Sequence, residues 1–138
     1  MQQTWGLALP GRQQAPERDG VKWQPTHVVI NLGTNDIAQG IPEKEDFVKA
    51  YRGLIADVRR DAPRAPIYCV FGPMINVKKH GAILDWLREI AADDARIHVV
   101  RLRNEHGMQG VGASWHPNVR SQQSMANQLV QAMGLEQE

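Results

Sequence analysis

Apolar positions along the chain change their spacing several times, and each change marks an element. From His27 the side chains run Val28-Val29-Ile30-Asn31-Leu32. A near-continuous β-branched run of this kind is typical of strands buried on both faces of a parallel sheet, so it predicts a first strand over 28–32. Pro42 with Glu43, Glu45 and Asp46 reads as a helix start, because proline fits the first turn and carboxylates favour the positive end of the helix dipole. Phe47, Val48, Tyr51, Leu54, Ile55 and Val58 then recur at helical spacing until Pro63 and Pro66 stop the element. A second strand is expected over Ile67 to Phe71. After a Gly72-Pro73 turn and a loop holding Lys78 and Lys79, a second helix places Ile83, Leu84, Leu87 and Ile90 on one face. A third strand runs from about Arg96 to Leu102. The stretch from Arg103 to Ser114 has Gly107, Gly110 and Gly112 but no periodicity, which makes it a loop able to carry a side chain close to a ligand. The last helix opens at Pro117 and is expected to bury Val119, Ala126, Leu129, Val130 and Met133.

Three rounds of strand and helix argue for an α/β domain with a parallel sheet and right-handed crossovers, spanning 26–138. Residues 1–25 carry Pro10, Gly11, Pro16 and Gly20 without periodicity and read as an irregular arm, with Trp5, Leu7, Leu9 and Trp23 as its anchors. A length of 138 residues leaves room for one such domain. The formal net charge of +1 and the scattered basic residues point away from a nucleic-acid partner. The apolar run from His27 to Leu32 falls far short of the roughly 20 residues a membrane span needs, and no basic-then-apolar leader opens the chain, so no membrane partner is expected. The single cysteine, Cys69, lies inside the apolar run 67–71 and reads as a buried small hydrophobe.

In open parallel sheets, ligand sites form at the carboxyl ends of strands. After the first strand comes Gly33-Thr34-Asn35-Asp36, and after the third comes the glycine loop leading to Ser114-Trp115-His116-Pro117-Asn118. An asparagine amide at a strand end can donate to a developing oxyanion, and a preceding glycine lets backbone approach closely; one such donor lowers a barrier by about 3 kcal/mol. Asn35 suits that role, with Gly33 and Asp36 in support. The same tetrapeptide could also be a simple Asx turn. His116 sits between a loop and Pro117 at a helix start, where an imidazole can be held at a rim as a general base. His27, His80, His98 and His106 lack such a setting. A lone histidine can equally be structural.

Taken together, the Gly-Thr-Asn-Asp and Trp-His-Pro-Asn blocks resemble the SGNH (GDSL-type) hydrolases, whose third block reads Gly-x-Asn-Asp and whose last block ends in His-Pro. The longer match from Trp23-Gln24-Pro25 through Asp36, and from Trp115 through Met125, Ala126 and Leu129, is similar to the acetyl esterases of carbohydrate esterase family two. The resemblance implies a flavodoxin-like three-layer sandwich, cut to roughly three strands and three helices. It also implies hydrolysis of small acyl esters, acetylated sugars among them, with no cofactor and no metal. By position His116 would be the base and Asn35 the oxyanion donor, with Gly33, Asp36, Ser114 and Trp115 around them.

The family's Gly-Asp-Ser nucleophile block has no counterpart, because no serine precedes residue 114. Neither does its second oxyanion block. Where the family's orienting acid usually lies, the chain has Ala113 and Ser114, and a backbone carbonyl can orient the ring instead. Ser121 and Ser124 are expected on the surface of the last helix. In the family's strand order the first strand would flank Val28 to Leu32, so that strand is expected at an edge. Pairing of two copies into a homodimer through it, or a fold-over of the arm, follows from that expectation. The alternative to an esterase is a noncatalytic remnant serving as a binding or assembly module. A nucleotide-binding flavodoxin-like protein ranks lower, since no glycine-rich phosphate loop follows any strand.

Overall fold

A computed structural model describes residues 24–37, 40–72, 74, 77–103 and 110–135. The chain alternates strand and helix as β1 (Val28–Ile30), α1 (Lys44–Asp61), β2 (Ile67–Phe71), α2 (Val77–Ala91) and β3 (Ile97–Arg101), followed by a 3-10 turn (Ala113–Trp115) and α3 (Val119–Ala132). The strands lie in the order β1-β2-β3, all parallel, with Val28 beside Ile67 and Ile67 beside Ile97. The α/β class and the parallel sheet expected from the sequence are what the chain adopts. Residues 1–23 of the predicted arm lie outside the described residues, as do 104–109 of the glycine loop.

Side chains alternate across a strand, so the register sorts them into two layers. Val28, Ile30, Ile67, Cys69, Phe71 and Ile97 face α1 and α2 and form the main core with Val58, Ile83, Leu87 and Ile90. Tyr68, Val70, Val100 and Leu102 face the other way, where Met125, Leu129 and Met133 of α3 pack on them. Each aliphatic side chain fully removed from water contributes about 1.5–3 kcal/mol, so the α1–α2 layer supplies most of the stability.

The helix-period stripe on α1 is buried as expected, from Phe47 to Val58. The helix begins two residues after Pro42, at Lys44, with Glu45 and Asp46 in its first turn and Arg59 and Arg60 in its last, charges that suit the dipole at both ends. Pro63 ends it, since the ring disfavours helical geometry at Ala62 before it. Arg59 then clamps the helix end: its guanidinium donates to the Ala65 carbonyl at 2.6 Å and to Asp94 at 2.7 Å, tying α1 to the turn before β3.

Several expectations need correction. β1 closes at Ile30 rather than Leu32, and it is not buried on both faces: Val29 is 43% exposed. A strand at a sheet edge with no helix over one side leaves its alternate residues in water. Lys78 and Lys79 belong to α2, which starts at Val77, and not to a loop. On α3, Val119 is 81% exposed and Ala126 and Val130 also face solvent; Met125, Leu129 and Met133 make the contact instead, because the stripe that meets the sheet is set by where the helix docks. Ser121, expected on the surface, is 3% exposed, drawn in by the capping turn before it. Cys69 is buried as anticipated.

Candidate active site

The turn after β1 is shaped by Gly33, whose φ of +110° only glycine adopts without strain. A side chain there would also stand 3.8 Å from the Phe47 ring, so the turn lies against the start of α1. Between turn and helix runs a cleft of about 660 Å³, lined among others by Asn31, Gly33, Asn35, Phe47, Ala50 and Tyr51. Its rim is polar, from Thr34, Asn35, Asp36 and Asp46, and its wall apolar, from Leu32, Phe47 and Leu54. Asn35 and Asp36 are exposed, and their side chains make no hydrogen bond among the described residues, so the Asn35 amide is available to a ligand.

The Tyr51 hydroxyl is buried behind this cleft with no nitrogen or oxygen partner and lies against the Cys69 thiol. Burial pushes both groups up: the thiol to about 11, and the phenol beyond its ordinary range, so both stay neutral. Neither can serve as a nucleophile at neutral pH.

The His116 loop is built differently. Val111 and Pro117 pair as an isolated antiparallel bridge, and the Gly112 N–H donates to the His116 carbonyl at 2.8 Å, closing a tight loop over 111–117. The loop turns through Ser114 (φ 52°) and Trp115 (φ 62°), two successive non-glycine residues in the left-handed region. Such positions cost roughly 1 kcal/mol or more each and persist where surrounding bonds over-determine them. Here the result is a fixed histidine. The Ala113 carbonyl accepts from the His116 backbone N–H at 3.1 Å and lies 3.3 Å from its Nδ1. A carbonyl can only accept, so this contact places the ring proton on Nδ1 and leaves the Nε2 lone pair free to take a proton. Asn118 then caps α3 by accepting from the Ser121 N–H at 3.0 Å, which anchors the loop to the helix.

Trp115, the residue before His116, is 74% exposed. Ser114 is exposed as well, whereas the buried Ser121 hydroxyl has no partner among the described residues. The Asn35 turn and the His116 loop both follow strands at their carboxyl ends, after β1 and β3. The cleft at Asn35 is not lined by Ser114, Trp115 or His116, and no hydrogen bond joins the two loops among the described residues. Among the described residues no three of histidine, cysteine, aspartate and glutamate gather as a metal site, and no helix is long and apolar enough to cross a membrane.

A sequence model of the GDSL-like lipase/acylhydrolase family matches residues 3–128. The chain belongs to that family. It is 37% identical over 120 residues to the cellulase/esterase CelE of Acetivibrio thermocellus, a match covering 80% of this chain and 15% of CelE. A family two carbohydrate esterase from Clostridium thermocellum, solved in complex with cellohexaose, superposes with a TM-score of 0.80 at 34% identity, covering 87% of this chain and 40% of that one. A family two carbohydrate esterase from Cellvibrio japonicus gives a TM-score of 0.84 at 25% identity, covering 98% of this chain and 42% of that one. The resemblance read from the two blocks therefore holds across the whole fold, and the chain spans less than half the length of these relatives.

Proposed function

We propose that this chain carries the oxyanion-binding and proton-transfer part of a carboxylic-ester hydrolase acting on small acyl esters, acetylated sugars among them. The observation that carries the reading is the His116 ring, held through Nδ1 by the Ala113 carbonyl with Nε2 free. In the reaction, Nε2 removes the proton of an attacking hydroxyl as its oxygen bonds to the ester carbonyl carbon. The carbonyl electrons move onto oxygen, where the Asn35 amide donates to the oxyanion. Collapse expels the alcohol, which takes its proton from His116. A water activated in the same way then releases the acyl group. Trp115 and Ser114 frame the alcohol side of the histidine, while Gly33 and Asp36 shape the turn that presents Asn35.

The full covalent route needs a serine that these residues do not present beside Asn35, since none precedes Ser114. His116 can still activate water against an activated ester. Hydrolysis of p-nitrophenyl acetate by the chain is thus expected to fall about 10²-fold in His116→Ala and about 10²-fold or more in Asn35→Ala. Equal turnover in wild type and both variants refutes the reading. A fluorophosphonate adduct on Ser114, Ser121 or Ser124 would place the nucleophile inside the chain.

A second reading, a noncatalytic module that keeps the cleft, is favoured by the cleft at Asn35 not being lined by His116. It predicts binding of acetylated oligosaccharide that His116→Ala leaves unchanged, with no turnover above background.

A further inference from the structure

We infer that Gln122, in the first turn of α3, is a positioning residue for His116: its side-chain amide ties the strained loop 111–117 to the helix and so keeps the imidazole proton on Nδ1. The bearing on turnover rests on the ester-hydrolase reading; the tie and the ring orientation stand on geometry alone.

Two successive left-handed residues, Ser114 and Trp115, make the loop a costly conformation that relaxes unless bonds around the pair hold it. The bonds from the Gly112 N–H to the His116 carbonyl at 2.8 Å and from the His116 N–H to the Ala113 carbonyl at 3.1 Å lie within the loop and move with it. Attachment to α3 fixes the loop against the rest of the molecule. There Gln122 grips two consecutive carbonyls just past the histidine: its Nε2 donates to Pro117 at 3.0 Å and its backbone N–H to Asn118 at 2.9 Å. The second is the ordinary first bond of a helix. The Pro117 carbonyl, in contrast, precedes the cap and has no place in the helical ladder, so its bond to Gln122 is an added tie between loop and helix.

The consequence reaches the ring. At 3.3 Å the Nδ1 contact to the Ala113 carbonyl is at the long end for such a bond, so a small shift of His116 relative to Ala113 loses it. A neutral imidazole released from that acceptor favours the other tautomer, whose protonated Nε2 has no lone pair to offer. A second glutamine on α3 supplies the comparison. Gln128 accepts from the Arg103 N–H at 2.7 Å just past β3, and its own amide turns back to Ser124. Among the described residues it bonds to nothing in the loop 111–117.

The test reads the His116 ring nitrogens of the 138-residue chain by 15N NMR in mildly alkaline solution. Wild type is expected in the Nδ1–H form. Gln122→Ala should move the ring substantially toward the Nε2–H form with circular dichroism unchanged, and so should Gln122→Glu, which keeps the length without the donor. Gln122→Lys, which keeps a donor, should restore Nδ1–H. Gln128→Ala should lower the urea midpoint without moving the tautomer. Because the Gln122 bond is exposed to solvent, kcat for p-nitrophenyl acetate should fall only about fivefold in Gln122→Ala, with KM unchanged. A wild-type tautomer in Gln122→Ala, an equal shift in Gln128→Ala, or no recovery in Gln122→Lys overturns the positioning role. A shifted tautomer with turnover absent or unchanged upholds that role and refutes the hydrolase reading.

Discussion

Against one face of the sheet, α1 and α2 close completely over Ile67, Cys69 and Phe71, and Ile83 and Leu87 of α2 are shut in with them, all at 0% exposure. Against the other, α3 brings Met125, Leu129 and Met133 onto four residues and leaves Val29 in water. The candidate catalytic groups belong to neither layer; they sit on loops at the strand ends. The contrast sets the stability concentrated where two helices meet the sheet apart from the candidate site residues, which lie on turns outside both layers. A change in one region should therefore be readable separately from a change in the other.

The sharpest test of that separation is truncation in the two layers. Leu87→Ala should cost about 2–5 kcal/mol of unfolding free energy, because a closed layer cannot collapse onto the void. Leu129→Ala, on the partly exposed α3 side, should cost about 1 kcal/mol, measured by the same urea titration. Equal losses would show that the α3 layer is as closed as its counterpart.

Next in size is the clamp at the end of α1. Arg59→Ala removes donors to the Ala65 carbonyl and the Asp94 carboxylate and should cost about 2 kcal/mol, with p-nitrophenyl acetate turnover at low denaturant unchanged. A fall in turnover instead would couple the clamp to the site.

A smaller effect is pH-dependent. The Arg96 backbone N–H, and after it the Arg59 guanidinium, hold the Asp94 carboxyl below its ordinary value. A depressed folded value adds stability at pH above the unfolded carboxylate's pKa of about 3.9, and that stability is lost as pH falls through the lower folded value. Urea midpoints of Asp94→Asn against pH should consequently converge on wild type below about pH 4 and lie beneath it above. Parallel curves across the range would exclude the linkage.

The smallest change is expected in the site loop. Ser114→Gly relieves one left-handed residue and should stabilise by up to about 1 kcal/mol, yet loosen His116 and lower turnover. Gain in both stability and turnover would show that the strained loop does not serve the histidine.

What the sequence by itself determined is whatever repeats locally. The stripe from Phe47 to Val58, the run Ile67 to Phe71 and the prolines at 63 and 66 specify elements through period and chain stiffness, and the two blocks at Asn35 and His116 specify the family. Only the tertiary structure decided matters of position. That Val29 is open and Ser121 closed depends on which helix docks where, and a one-residue alternation cannot tell an edge strand from a central one. The group that orients His116 was equally hidden, because every residue carries a carbonyl and only the left-handed turn through Ser114 and Trp115 brings that of Ala113 to the ring.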